Sequence, residues 1–100
     1  MPEVRLTEEA LVDPEVIRSN GVARFGASSA ERHLRAIRQG FELLSAHPLA
    51  GQERPEFRDD IRTISRRPHR ILYTVEGDGV LIVRVIHHAR DVAAALADEE

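Results

Sequence analysis

The chain has no cysteine and no lysine. Without thiols it can form neither a disulfide framework nor a thiolate zinc site, so its stability must come from elsewhere. A domain of 100 residues buries only roughly two-thirds of the surface its unfolded chain exposes, and a partner chain is one source of the shortfall. Long uncharged apolar runs are also missing, which argues against a membrane span. With 42% hydrophobic and 31% charged residues, the composition is nevertheless too apolar for disorder. Met1-Pro2-Glu3-Val4-Arg5 has no basic segment leading into an apolar stretch, so a signal peptide is not expected and a cytoplasmic location is. No repeat or second hydrophobic unit divides residues 1–100, which read as a single domain.

In the absence of lysine, all 14 cations are arginine, on a chain of formal net charge −3. From Ile61 to Val75 there are Arg62, Arg66, Arg67 and Arg70 and no acid, between acidic flanks. Such a strip suits an acidic partner surface or a phosphate, although a solvated arginine-rich hairpin has the same composition.

The pattern predicts an α+β fold. Val4-Arg5-Leu6 reads as a short strand, and Thr7 can cap a helix whose first turn, Glu8-Glu9, is acidic as the helix dipole prefers. Pro14 should kink that helix or restart it from Asp13, and Asn20-Gly21 should end it after about Ser19. Ser28 and Glu31 have the spacing of a capping box. They open a second helix with an apolar stripe of Ala30, Leu34, Ile37, Phe41 and Leu44, which His47-Pro48 terminates. A two-helix hairpin is the result. Pro48 to Asp60 is then a connection of about a dozen residues, long enough to suggest function. Ile61 to Ser65, Arg70 to Val75 and Val80 to Ile86 form a three-stranded antiparallel meander, and Val92 to Leu96 a short C-terminal helical tail.

Val80 to Ile86 is apolar at both parities, so both faces of this strand should be covered. Ile71, Val83 and Val85 are expected on one face and Leu72, Ile82 and Ile86 on the other, which the short tail is too small to cover. Arg84 interrupts the apolar run and must meet a carboxylate or several carbonyls, Asp91 being one candidate. On the first helix, Ala10 and Ile17 share one face while Val12 and Val16 lie nearly opposite, so one of these faces needs a partner.

Several motifs then occur in order: Phe25-Gly26, Pro48 with Gly51, Ile61-Arg62, His69-Arg70-Ile71-Leu72-Tyr73, and Val83-Arg84-Val85-Ile86-His87-His88-Ala89-Arg90-Asp91. Over about residues 4 to 92 they resemble the RelE/ParE superfamily of bacterial toxins, and the His87-x-x-Arg90-Asp91 ending is closer to the ParE branch. Departures fall in the first helix, at Asp13-Pro14 and Asn20. The resemblance implies a toxin of a type II toxin–antitoxin system that inhibits DNA gyrase by binding. It also implies a ParD-like antitoxin, whose partly disordered segment folds onto the toxin. That segment would cover the Val12 and Val16 face and meet Arg62, Arg66 or Arg70 with acidic residues.

The alternative within the fold is a ribosome-dependent mRNA endonuclease, in which clustered cations stabilise charge on phosphate and a Tyr or His accepts a proton. Here Arg62, Arg70, Arg84, Tyr73 and His87 would have to supply that set without lysine. A third alternative is an inactive domain that only binds its antitoxin. His87-His88 suggests a metal, but successive strand residues point to opposite faces, and a hydrogen-bonded structural histidine is preferred. Tyr73 is expected to pack with a satisfied hydroxyl. Arg90-Asp91 reads equally as a turn-fixing pair and as a target contact. No cofactor, metal, membrane or direct nucleic-acid contact is expected.

Overall fold

A computed structural model describes residues 3–97. Strand β1 (Val4–Leu6) leads into helices α1 (Glu8–Phe25) and α2 (Ala27–Ala46). Strands β2 (Gln52–Glu53), β3 (Arg62–Arg66), β4 (His69–Glu76) and β5 (Gly79–His87) follow, then helix α3 (Val92–Ala97). The strands form one five-stranded sheet in the order β1-β5-β4-β3-β2. The expected meander is its centre, β1 adds to β5 in parallel, and β2 pairs with β3 antiparallel. Part of the 48–60 connection is therefore an edge strand.

Thr7 does cap α1: its hydroxyl accepts from Ala10 N at 3.1 Å and donates to the Val83 carbonyl at 2.7 Å, tying the helix start to β5. Contrary to expectation, α1 neither restarts at Asp13 nor stops at Ser19. Pro14 removes one backbone donor, but buried Ala10 and Asp13 on one side and Ile17 on the other hold the segment helical. Gly21 is not a terminator, because a Cβ there would lie 3.1 Å from Ala30 Cβ: it is where the two helices touch. The stop comes at Gly26, whose φ of 87° suits glycine, and which also starts α2. The Ser28–Glu31 capping box does not form: α2 begins at Ala27 without a side-chain cap, and Glu31 pairs with Arg18 of α1.

Helix α2 buries Ala30, Leu34, Ile37 and Leu44 as its periodicity predicts, and at Gly40 it packs so tightly on the sheet that a Cβ would lie 2.7 Å from Ile71 and 3.2 Å from Ile64. Phe41 is only half-buried beside it. On the opposite sheet face, Leu72, Val83 and Ile86 pack with Val92, Ala95 and Leu96 of α3 and with Phe57. This corrects the expectation of an uncovered second face: α3 and the 48–60 connection suffice.

The faces are also distributed differently from a strict alternation. Tyr73 pairs with Ile82 but Leu72 with Arg84, so β5 carries one extra residue, a β-bulge, at Val83. Ile82 and Val85 consequently join Ile71 beneath the helical hairpin, while Val83 joins Leu72 and Ile86 beneath α3. Both Val83 and Val85 are core residues, on opposite faces.

Candidate functional site

Strand β1 pairs with β5 only as far as Ile82, and past that point α1 takes over the β5 edge. Asp13 accepts from the Val85 amide at 2.8 Å, and Arg84 Nε and Nη2 both donate to its carboxylate at 2.9 Å. Arg84 Nη1 donates to the Ala95 carbonyl of α3 at 3.0 Å, so one guanidinium joins both layers through the sheet. Both side chains are under 9% exposed. Such a pair adds less to stability than its Coulomb attraction suggests, but removing one member leaves a buried charge uncompensated. The carboxylate that Arg84 required is Asp13, 71 residues away, rather than Asp91. Asp91 caps α3 instead, accepting from Ala93 N at 3.0 Å.

Beside this lock a cleft of about 540 Å³ opens between the second half of α1, the start of α2 and the ends of β4 and β5. Val16, Ile17 and Phe25 form its apolar side and Arg24 and Arg90 also line it. Its inner wall is histidine. His69 and His87 are cross-strand partners with ring centroids 5.8 Å apart, His33 of α2 lies 5.6 Å from His69, and Phe25 lies 6.5 Å from His33. Burial, with His33 and His87 adding to it, holds the His69 imidazole down at about 4. His69 is therefore neutral at pH 7, and its buried Nδ1 has no hydrogen-bond partner among the described residues. A smaller cavity, shared by Val12, Val16, Arg84 and Arg90, adjoins the cleft along α1.

Along α1 the apolar side chains Leu11, Val12, Val16, Val22 and Phe25 are each between 46% and 63% exposed, interspersed with Glu15, Arg18 and Ser19. Several large apolar side chains exposed on one element suit a surface that meets another molecule.

The other candidate residues are spread over the sheet. Tyr73 is fully buried; its hydroxyl donates to the Pro48 carbonyl and accepts from Gly51 N, each at 2.8 Å. Burial is the main cause that raises its pKa. Arg62 donates to the Gly51 carbonyl at 2.8 Å, so Arg62 and Tyr73 clasp the loop before β2. A Cβ at Gly51 would overlap the Tyr73 hydroxyl. Arg66 runs past Gly40 of α2, whereas Arg70 faces the other side of the sheet, 3.1 Å from His88 Nδ1 and over the Phe57 ring. The His88 imidazole is lowered, first by desolvation and then by Arg70. His87 and His88 thus part to opposite faces, and His87 Nδ1 accepts from Ala89 N at 3.0 Å.

Val12, Val16, Arg84, His87 and Arg90 consequently gather around α1, while Arg62 and Tyr73, Arg66, and Arg70 do not join them or form one basic strip. Sequence reasoning missed Asp13, His33 and His69. Asp13 had read as a helix cap, and the only signal for the histidines was His69 within the strand motif. Among the described residues, no group of His, Asp or Glu is arranged to hold a metal ion, and no helix is long and apolar enough to cross a membrane.

Comparison with known proteins agrees with this architecture. Toxin ParE3 of Caulobacter vibrioides is 34% identical over 82 residues, covering 82% of this chain and 77% of the relative. Toxin ParE1 of Mycobacterium tuberculosis is 34% identical over 70 residues, covering 69% and 71%. A solved structure described as the chromosomal ParDE toxin–antitoxin system from P. aeruginosa shares the fold, with a TM-score of 0.74 and 24% identity over 87% of this chain and 96% of that one. The family model for the ParE toxin of the type II toxin–antitoxin system parDE matches residues 4–92, from β1 to the start of α3, and the chain belongs to that family.

Proposed function

We propose that this toxin acts in the cytoplasm by binding and inhibiting DNA gyrase, with no hydrolytic chemistry of its own, and that a ParD-like antitoxin neutralises it. The observation that carries the first half is the dispersal of the side chains a ribonuclease site would need. Arg84 is locked to Asp13, the Tyr73 hydroxyl is occupied by Pro48 and Gly51, and Arg70 lies on the sheet face away from His87. General acid–base work on a phosphodiester needs such groups within about 3 Å of one reacting centre.

The second half is supported by the apolar face of α1, where Val12 and Val16 are exposed beside Arg90. An ordering antitoxin segment would bury this face, with acidic residues at Arg90 and, along the sheet, at Arg62, Arg66 or Arg70. His87 and Asp91 border the same end of β5. Purified protein added separately to gyrase supercoiling reactions and to translating ribosomes tests the reading. Loss of supercoiling with intact messenger is expected. Cleaved messenger with unaffected supercoiling would overturn it in favour of the endonuclease.

A further inference from the structure

The histidine-lined cleft adjoins the exposed side of α1 and shares Val16 and Phe25 with it, but has its own chemistry. Three observations point to an occupant. Its volume of about 540 Å³ is enough for a large side chain. Its walls combine apolar Val16 and Phe25 with the imidazoles of His33, His69 and His87, surfaces that stack against an aromatic ring or a long aliphatic chain. Finally, the Nδ1 of His69, a residue only 6% exposed, has no partner among the described residues. Buried polar atoms are nearly always satisfied, and an occupant that brings a hydrogen-bonding group would satisfy this one.

Charge narrows the choice. Arg24 and Arg90 line the cleft, and the carboxylate among its described lining residues, Asp13, is held by Arg84. An acidic group is thus favoured near the cleft and a basic one disfavoured.

We propose that the cleft is the anchor pocket for one large apolar side chain of the antitoxin, flanked by an acidic residue that meets Arg24 and Arg90, with a polar group of the same segment reaching His69. This rests on the antitoxin half of the proposed function. The anchor fills a desolvated pocket, so it should dominate the binding energy, while contacts along the outer face of α1 contribute little singly.

The test uses the full-length toxin and the full-length antitoxin encoded beside it, with dissociation constants measured by titration. Ser29→Phe narrows the cleft from the α2 side, and Val16→Asp places a charge in its apolar wall. Each should weaken binding at least thirtyfold, whereas Val22→Ser, on α1 but outside the cleft, should change it less than threefold. Arg24→Ala with Arg90→Ala should reduce the salt dependence of binding. Imidazole signals of His33, His69 and His87, followed by NMR on the unmodified protein, should shift on complex formation, a readout that needs no variant to fold. Tight wild-type binding that leaves those signals unmoved, or that survives Ser29→Phe and Val16→Asp unchanged, overturns the cleft while leaving the antitoxin reading intact. No binding by the wild-type toxin overturns both.

Discussion

Arg84 shows how much one side chain is made to do in a small domain. It donates to Asp13 of α1 and to Ala95 of α3 from the strand between them, so its loss should loosen both layers. Asp13→Ala leaves that guanidinium buried and unpaired, and we expect a cost of about 3–5 kcal/mol in urea denaturation. A cost below about 1 kcal/mol would show that water or another acceptor replaces the carboxylate. The need for an acceptor was readable from an arginine set in an apolar run. Its identity was not, because Asp13 beside Pro14 has a local explanation as a helix cap, and nothing local to it in sequence indicates a partner 71 positions away. At His69 the prediction concerns pH. Its imidazole titrates near 4 in the folded protein against an ordinary 6.5, so the unfolded chain takes up the proton first. Stability is therefore complete above about pH 6.5 and is lost as pH falls towards 4, by roughly 1–2 kcal/mol at pH 5. His69→Gln should flatten that part of the profile, whatever it does to stability at pH 7. An unaltered slope would mean that another group carries the acid sensitivity.

At the scale of elements, strong periodicity was legible and tertiary compensation was not. The α2 stripe and the three long strands follow from apolar spacing alone. Strand β2 did not show, because Gln52 and Glu53 are both exposed and polar; they pair with β3 next to the Gly51 that Tyr73 and Arg62 clasp. The bulge at Val83 was equally hidden, since an all-apolar run looks the same whichever residue is extra. Helix α1 is the instructive failure: Pro14 and Asn20-Gly21 read as punctuation, yet Asp13 pins the first to β5 and Ala30 packs on the second. If the proline is tolerated only because of that pinning, Pro14→Ala should stabilise the protein by about 1–3 kcal/mol, seen as a higher melting temperature. A lower one would mean that Pro14 makes contacts that outweigh the missing hydrogen bond. The half-exposure of Phe41 likewise lowers what its truncation should cost.

Over the whole molecule, an acidic chain without lysine folds so that its sheet is covered on both faces, leaving apolar surface concentrated on the outside of α1. The family could be read from ordered motifs, because they encode the strand ends and turns the fold repeats. The surface for partners was half readable: Val12 and Val16 stood out by spacing, but the cleft is assembled from α1, α2, β4 and β5 and has no contiguous signature. On the proposed function, the toxin acts by binding, and an antitoxin silences it by binding the same molecule. The measurement that tests this most directly is a titration of purified antitoxin into a gyrase supercoiling reaction already stopped by the toxin. Supercoiling should return as the antitoxin approaches the toxin in concentration; a reaction that the toxin never slows, or that the antitoxin fails to restore, would contradict it.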